Sequence, residues 1–244
     1  MRGHVVVAGT VIAVLTASAA GAQRIADEQS RRQAIEFYRA GQEFMSSERF
    51  DKAAESYMAA IEKDPLFTVA HYQLGQARMS LKQYASAVQA YRNCLDAMES
   101  LHHLEQSNKF EVDKQRQETI RELRTELNST SQKLDPLKRT VLEQRVHELE
   151  QERVPYNGTF RPPAFVLLAM GSAHFRSGDR DSAASEWRAA VEANPTLGEA
   201  HNNLAVIYML SGRKTEAEAA VKLAEKSGFK VNPQLKADIR KLGD

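Results

Sequence analysis

The side chains able to do chemistry in this sequence are seven histidines, one cysteine and a large set of carboxylates. Histidine can ligate a metal or act as a base near neutral pH, and a thiolate can attack an electrophile or hold zinc. Spacing argues against each use. His102 and His103 are neighbours, so on a helix they point about 100° apart and cannot chelate as an i, i+4 pair would. A lone Cys94 leaves no intramolecular disulfide, thiolate metal cluster or paired redox motif. No nucleophile elbow, phosphate loop, dinucleotide fingerprint, haem attachment sequence or zincin motif occurs. The carboxylates lie near lysine or arginine on charged faces, the pattern of solvated surface. The 33 basic and 32 acidic residues leave a net charge of +1, which supplies no field to gather nucleic acid. The sequence therefore predicts no enzyme, no metal and no cofactor.

The elements that would carry these residues repeat. Aligning Gly41 with Gly75, Gly171 and Ala205 brings out a period of 34 residues in each half of the chain. The first unit, 34–67, holds Phe37, Gly41, Phe44, Ala53, Tyr57, Ala60 and Pro65. The second, 68–101, holds His71, Leu74, Gly75, Ala87, Tyr91 and Cys94 at the same offsets and lacks the closing proline. The third, 164–197, holds Leu167, Met170, Gly171, His174, Ala183, Trp187, Ala190 and Pro195. The fourth, 198–231, holds His201, Leu204, Ala205, Tyr208, Ala217, Val221 and Ala224. Small residues at recurring positions let two helices approach closely, and a proline after the second helix forces the turn. His71 and His201 thus fall on the large-residue core position, His174 on another packing position, and Cys94 where the other units have alanine. Each reads as a structural residue. Phe37, or Tyr57, is expected to fill the pocket offered by the neighbouring unit.

This pattern resembles the tetratricopeptide-repeat family over about Gln33 to Val231, apart from a middle insertion. The resemblance implies an all-α, right-handed solenoid of helical hairpins with a concave groove that recognises protein, and no enzymatic activity of its own. It further places certain first-helix positions in that groove. One gives Tyr38, Tyr72, Leu168 and Asn202; the position seven residues on gives Met45, Met79, Phe175 and Met209; between them lie Gln42, Gln76, Ser172 and Val206. Such a face is apolar, rich in adaptable methionine and supplied with amides. The same methionines could equally pack between neighbouring helices. A carboxylate clamp is not carried over, because Arg39 and Gln73 stand where Asn203 would need partners and paired lysines are missing.

Residues 102–161 break the period with a stretch rich in Glu, Lys, Arg, Gln and Leu. Ile120, Leu123, Leu127, Leu134, Leu137 and Val141, then Leu142, Val146 and Leu149, keep coiled-coil spacing. Asn128 to Ser131 interrupts the run and Asp135-Pro136 can start a helix. The second unit's second helix is expected to continue to about Leu127, turn, and return from about Pro136 to Arg153 as an arm roughly 25 to 30 Å long. Its apolar stripe either pairs the two arms or docks a second copy.

At the start, Arg2, the apolar run Val5 to Leu15 and Ser18 to Ala22 read as a signal peptide over 1–22, cleaved before Gln23. The reading is then a signal peptide, a repeat pair in 23–101, the arm and linker in 102–161, a repeat pair in 162–231 and a capping helix in 232–244. An exported, periplasmic or secreted scaffold with a protein or peptide partner is expected. The alternatives are a structural protein that self-associates through the arm, and an accessory subunit of an envelope enzyme or secretion complex. The acceptor triplets at Asn128 and Asn157 would matter only in a eukaryotic secretory pathway.

Overall fold

A computed structural model describes residues 26–129 and 158–243 together with 139, 143, 146, 147, 149 and 150. Among the described residues the regular structure is helical. The first half contains α1 (Glu28–Ser46), α2 (Phe50–Lys63), α3 (Thr68–Ser80) and α4 (Tyr84–Ser129). The second contains α5 (Ala164–Ser177), α6 (Arg180–Ala193), α7 (Gly198–Leu210), α8 (Lys214–Lys226) and α9 (Pro233–Arg240). The solenoid of helical hairpins follows, each unit pairing an odd-numbered with an even-numbered helix. The signal-peptide reading over 1–22 and the arm residues Leu134, Leu137, Val141 and Leu142 lie outside the described residues.

The recurring glycines sit at helix crossings, as the spacing required. A Cβ on Gly41 would stand 2.5 Å from Cε1 of Tyr57, one on Gly75 2.4 Å from Cε1 of Tyr91, and one on Gly171 2.6 Å from Cδ1 of Trp187. No real side chain occupies such gaps, so the aromatic ring of the second helix lies flat against the bare backbone of the first. Tyr57 and Tyr91 are fully buried as a result. Their hydroxyls find no protein partner, and burial pushes the Tyr57 phenol up to about 12.

A second recurring device is visible only in three dimensions. Each turn inside a unit places one residue in the left-handed region, and it is always the same repeat position: Glu48, Lys82, Gly178 and Gly212. In the first, third and fourth units the side chains of a residue before it and one after it then clasp. The ring of Phe44 lies 4.8 Å under the Arg49 guanidinium, and that of Tyr208 4.6 Å under Arg213. In the third unit the same two positions are His174 and Asp179, whose side chains meet at 3.3 Å. His174 thus packs within its unit, as a turn clasp.

In the second and fourth units the large-residue position joins the preceding unit through a polar contact. His71 Nε2 donates to the Pro65 carbonyl at 3.0 Å and His201 Nε2 to that of Pro195 at 2.9 Å. Phe37 corrects the expectation made for it: it is 39 % exposed, because this position packs on the preceding unit and, among the described residues, none stands before α1. The first helix also starts earlier than the repeat, capped by Asp27, whose side chain accepts from Ser30 N at 2.7 Å.

His71 is 6 % exposed, and burial holds its imidazole below the usual value against the opposing pull of the Pro65 carbonyl, Asp64 and Asp96. A depressed folded value means that the unfolded chain binds the proton more readily. The contribution of His71 is thus complete above the ordinary histidine range and declines as pH falls through it. Urea unfolding at about pH 7.5 and about pH 5 should show wild type losing more stability on acidification than His71→Gln, which keeps a donor for the Pro65 carbonyl and cannot titrate.

The insertion does not divide the core. Ala87, Val88, Tyr91 and Cys94 of α4 share one cluster with Val166, Leu167, Met170 and Ala173 of α5, so α5 stacks on α4 as the next unit would. Without a proline, α4 simply runs on for 46 residues, through Asn128 and Ser129, two residues beyond the expected end. The described residues 139, 143, 146, 147, 149 and 150 are helical. Ile120 of α4 buries against Val146 and Leu149 with Leu123 and Leu127 alongside, and Arg116 Nη1 donates to the Leu149 carbonyl at 2.9 Å. This part of the stripe is spent on pairing the two arms. His102 anchors the linker, its Nε2 lying 3.1 Å from the Gly158 carbonyl and its ring 6.0 Å from Phe160. At the far end α9 covers the last unit, with Leu235 and Ile239 buried against Ala220, Val221 and Val231.

Candidate functional site

Stacking brings the first helices α1, α3, α5 and α7 side by side, so that positions equivalent by the 34-residue period line one face. Tyr38 packs between Tyr57 and Phe67, with ring centroids 5.7 and 5.2 Å away. Gln42 and Gln76 each lend an amide N–H to the tyrosine four residues earlier, both at 3.1 Å. Met45 lies half-buried against the first core cluster, Met79 against the second, and Phe175 and Met209 against the third. These methionines do support neighbouring helices, yet each keeps a solvent-facing part. Asn202 is half-buried and approaches Asn203 at 3.5 Å.

The structure gathers four of the ten candidate residues round a single open depression of about 280 Å³ at the junction of the second and third units: Tyr72, Gln76, Met79 and Leu168. Tyr91, Phe165, Ala169, Ser172 and Glu199 complete its lining. Tyr72 is central. Its ring lies 5.6 Å from Tyr91 and 5.2 Å, edge to face, from Phe165. Burial raises the Tyr72 hydroxyl above its ordinary range, the Gln76 hydrogen bond opposes this, and the nearby Cys94 and Glu199 add to the rise. The six other candidates, Tyr38, Gln42, Met45, Phe175, Asn202 and Met209, lie outside this depression along the same helices.

Sequence reasoning missed Phe165 and Glu199. Both occupy the position three residues before the tyrosine series, where Ile35 and Val69 stand in the first two units. Residues i and i+3 share a helix face, and Ile35, Val69 and Phe165 are 41, 45 and 48 % exposed. An apolar residue repeated at that register, with no core role, was the available signal. It was hidden because the family pattern fixes the core positions and leaves this one free.

Elsewhere the reactive-looking groups are occupied structurally. Cys94 is buried, donates its S–H to the Thr68 carbonyl at 3.3 Å, and burial pushes its thiol up to about 11. No group of three or more His, Cys, Asp or Glu able to hold a metal occurs among the described residues.

Among curated proteins, photosystem I assembly protein Ycf3 of Rippkaea orientalis (strain PCC 8801 / RF-1) is 34 % identical over 62 residues, 25 % of this chain and 36 % of that protein. Its namesake in Cyanophora paradoxa is 31 % identical over 85 residues, 35 % of this chain and 46 % of that protein. The matches thus span less than half the length of these relatives. Among solved structures, PilW, a type IV pilus biogenesis factor, aligns over 89 % of this chain and 87 % of its own at 16 % identity and a TM-score of 0.42. The family model described as "Tetratricopeptide repeat" matches residues 38–97 and 168–228. These segments contain the glycine and aromatic crossings described above, and the helical blocks on either side of the arm are tetratricopeptide repeats.

Proposed function

We propose that this chain is a non-catalytic scaffold of the cell envelope that holds a polypeptide segment of a partner against its concave face. The observation that carries the reading is the ladder along α1, α3, α5 and α7: half-buried apolar side chains interleaved with amides, left partly open to solvent beside a rigid core. Such a surface offers apolar pockets for side chains and hydrogen bonds for a main chain, and holds no group that could perform a reaction on its own. The curated relatives are named as assembly proteins, which fits a holding role. Export is supported by Arg2, the run Val5 to Leu15 and the Ser18 to Ala22 segment. No helix of the described residues is long and apolar enough to cross a membrane.

Site-specific photocrosslinkers at Gln76 and Ser172 should trap the same partner, whereas crosslinkers at the exposed Arg92 and Lys222 should not. The double substitution Tyr72→Ala, Met79→Ser should reduce capture at least about tenfold while the helical circular-dichroism signal is retained. Capture that survives the double substitution would place the binding surface elsewhere.

A further inference from the structure

The depression at Tyr72 differs chemically from the rest of the face. The fully buried Tyr91 and the half-exposed Phe165 flank Tyr72 with centroids 5.6 and 5.2 Å from its own, and the exposed aromatic surface of Phe165 can attract a cation. The polar atoms left over include acceptors, beside the second Gln76 N–H and the Tyr72 hydroxyl proton. Gln76 spends an N–H on Tyr72 and keeps its carbonyl oxygen, and the Ser172 hydroxyl donates to the Leu168 carbonyl at 2.9 Å and keeps its lone pairs. Glu199 is the one charged residue in the lining; it is exposed and forms no ion pair with any described residue. One repeat earlier the same register holds Phe165, so the acid belongs to this junction alone.

We infer that this depression receives a basic side chain, lysine or arginine, from the polypeptide held on the concave face. The inference rests on that face being the docking surface. Ammonium and guanidinium groups carry donors and no acceptor, which suits the exposed Glu199 carboxylate and the exposed ring of Phe165. A carboxylate beside aromatic rings favours a cation over a neutral apolar anchor by charge as well as by contact.

Twelve-residue peptides selected on the full chain from a random display library provide the probe. The selected peptides should share a lysine or arginine beside apolar residues. Replacing that residue by norleucine should weaken binding to wild type about tenfold or more, and Glu199→Gln should weaken the basic peptide similarly while leaving its norleucine twin unchanged. The difference between the twins should shrink between about 50 and about 500 mM NaCl. Equal binding of the twins, or a basic peptide indifferent to Glu199→Gln, overturns the inference. The docking reading then still stands if binding is lost in the Tyr72→Ala, Met79→Ser variant. Peptides that bind without regard to Tyr72 and Met79 overturn both.

Discussion

Trp187→Ala is expected to lower the unfolding free energy by about 3 to 5 kcal/mol, the range for a large aromatic removed from a core. Trp187 is 2 % exposed, belongs to the largest cluster with Leu204 and Ala205, and stands 5.6 Å from Phe175 between ring centroids. Its Nε1 donates to the Leu168 carbonyl at 3.2 Å. Alanine therefore removes the ring that fills the third crossing, opens a cavity beneath α5 and takes one donor from that carbonyl, which keeps the Ser172 hydroxyl. Urea unfolding followed by far-ultraviolet circular dichroism measures the loss. A change of less than about 1 kcal/mol would show that the third unit does not depend on this crossing.

Gly75→Ala is expected to destabilise by about 1 to 3 kcal/mol, although alanine is the better helix former by about 1 kcal/mol. The added methyl would stand 2.4 Å from Cε1 and 2.7 Å from Cζ of Tyr91, a fully buried ring. The ring cannot retreat without disturbing Ala87, Val88 and the residues of α5 that share its cluster. A double-mutant cycle makes the cause testable. In a Tyr91→Ala background the same glycine substitution should be neutral or favourable, since the obstacle is gone and helix propensity remains. If Gly75→Ala stabilises the wild-type chain, α3 and α4 do not approach as closely as this crossing requires.

Both effects follow from a feature legible in the sequence, the small residue recurring with an aromatic sixteen places on: Gly41 with Tyr57, Gly75 with Tyr91, Gly171 with Trp187. Legibility failed where a position's role depends on its neighbours. Phe37 has the type and register of a core residue and is partly exposed, because what covers that position is the unit before it. The left-handed turn residue is glycine in the third and fourth units, and Glu48 and Lys82 in the first two. No composition rule predicts that, since only the turn geometry imposes it. That the second unit's last helix continues past the repeat was readable from its missing proline; that Ile120 meets Val146 and Leu149 was not.

For the proposed docking face, the family resemblance named the first-helix positions and the repeat period carried them from unit to unit, because a helix presents equivalent positions in the same direction in every unit. Tyr72, Gln76, Met79 and Leu168 were reached that way. What only the tertiary structure decided is that α5 stacks directly on α4 despite the 60 or so residues inserted between the two units. Packing free energy depends on which surfaces meet and not on how far apart they are along the chain, and lengthening a connection adds only slowly to its closure entropy. That contact brings Phe165 and Glu199 to Tyr72, and so creates the pocket with which this chain is inferred to recognise a basic side chain.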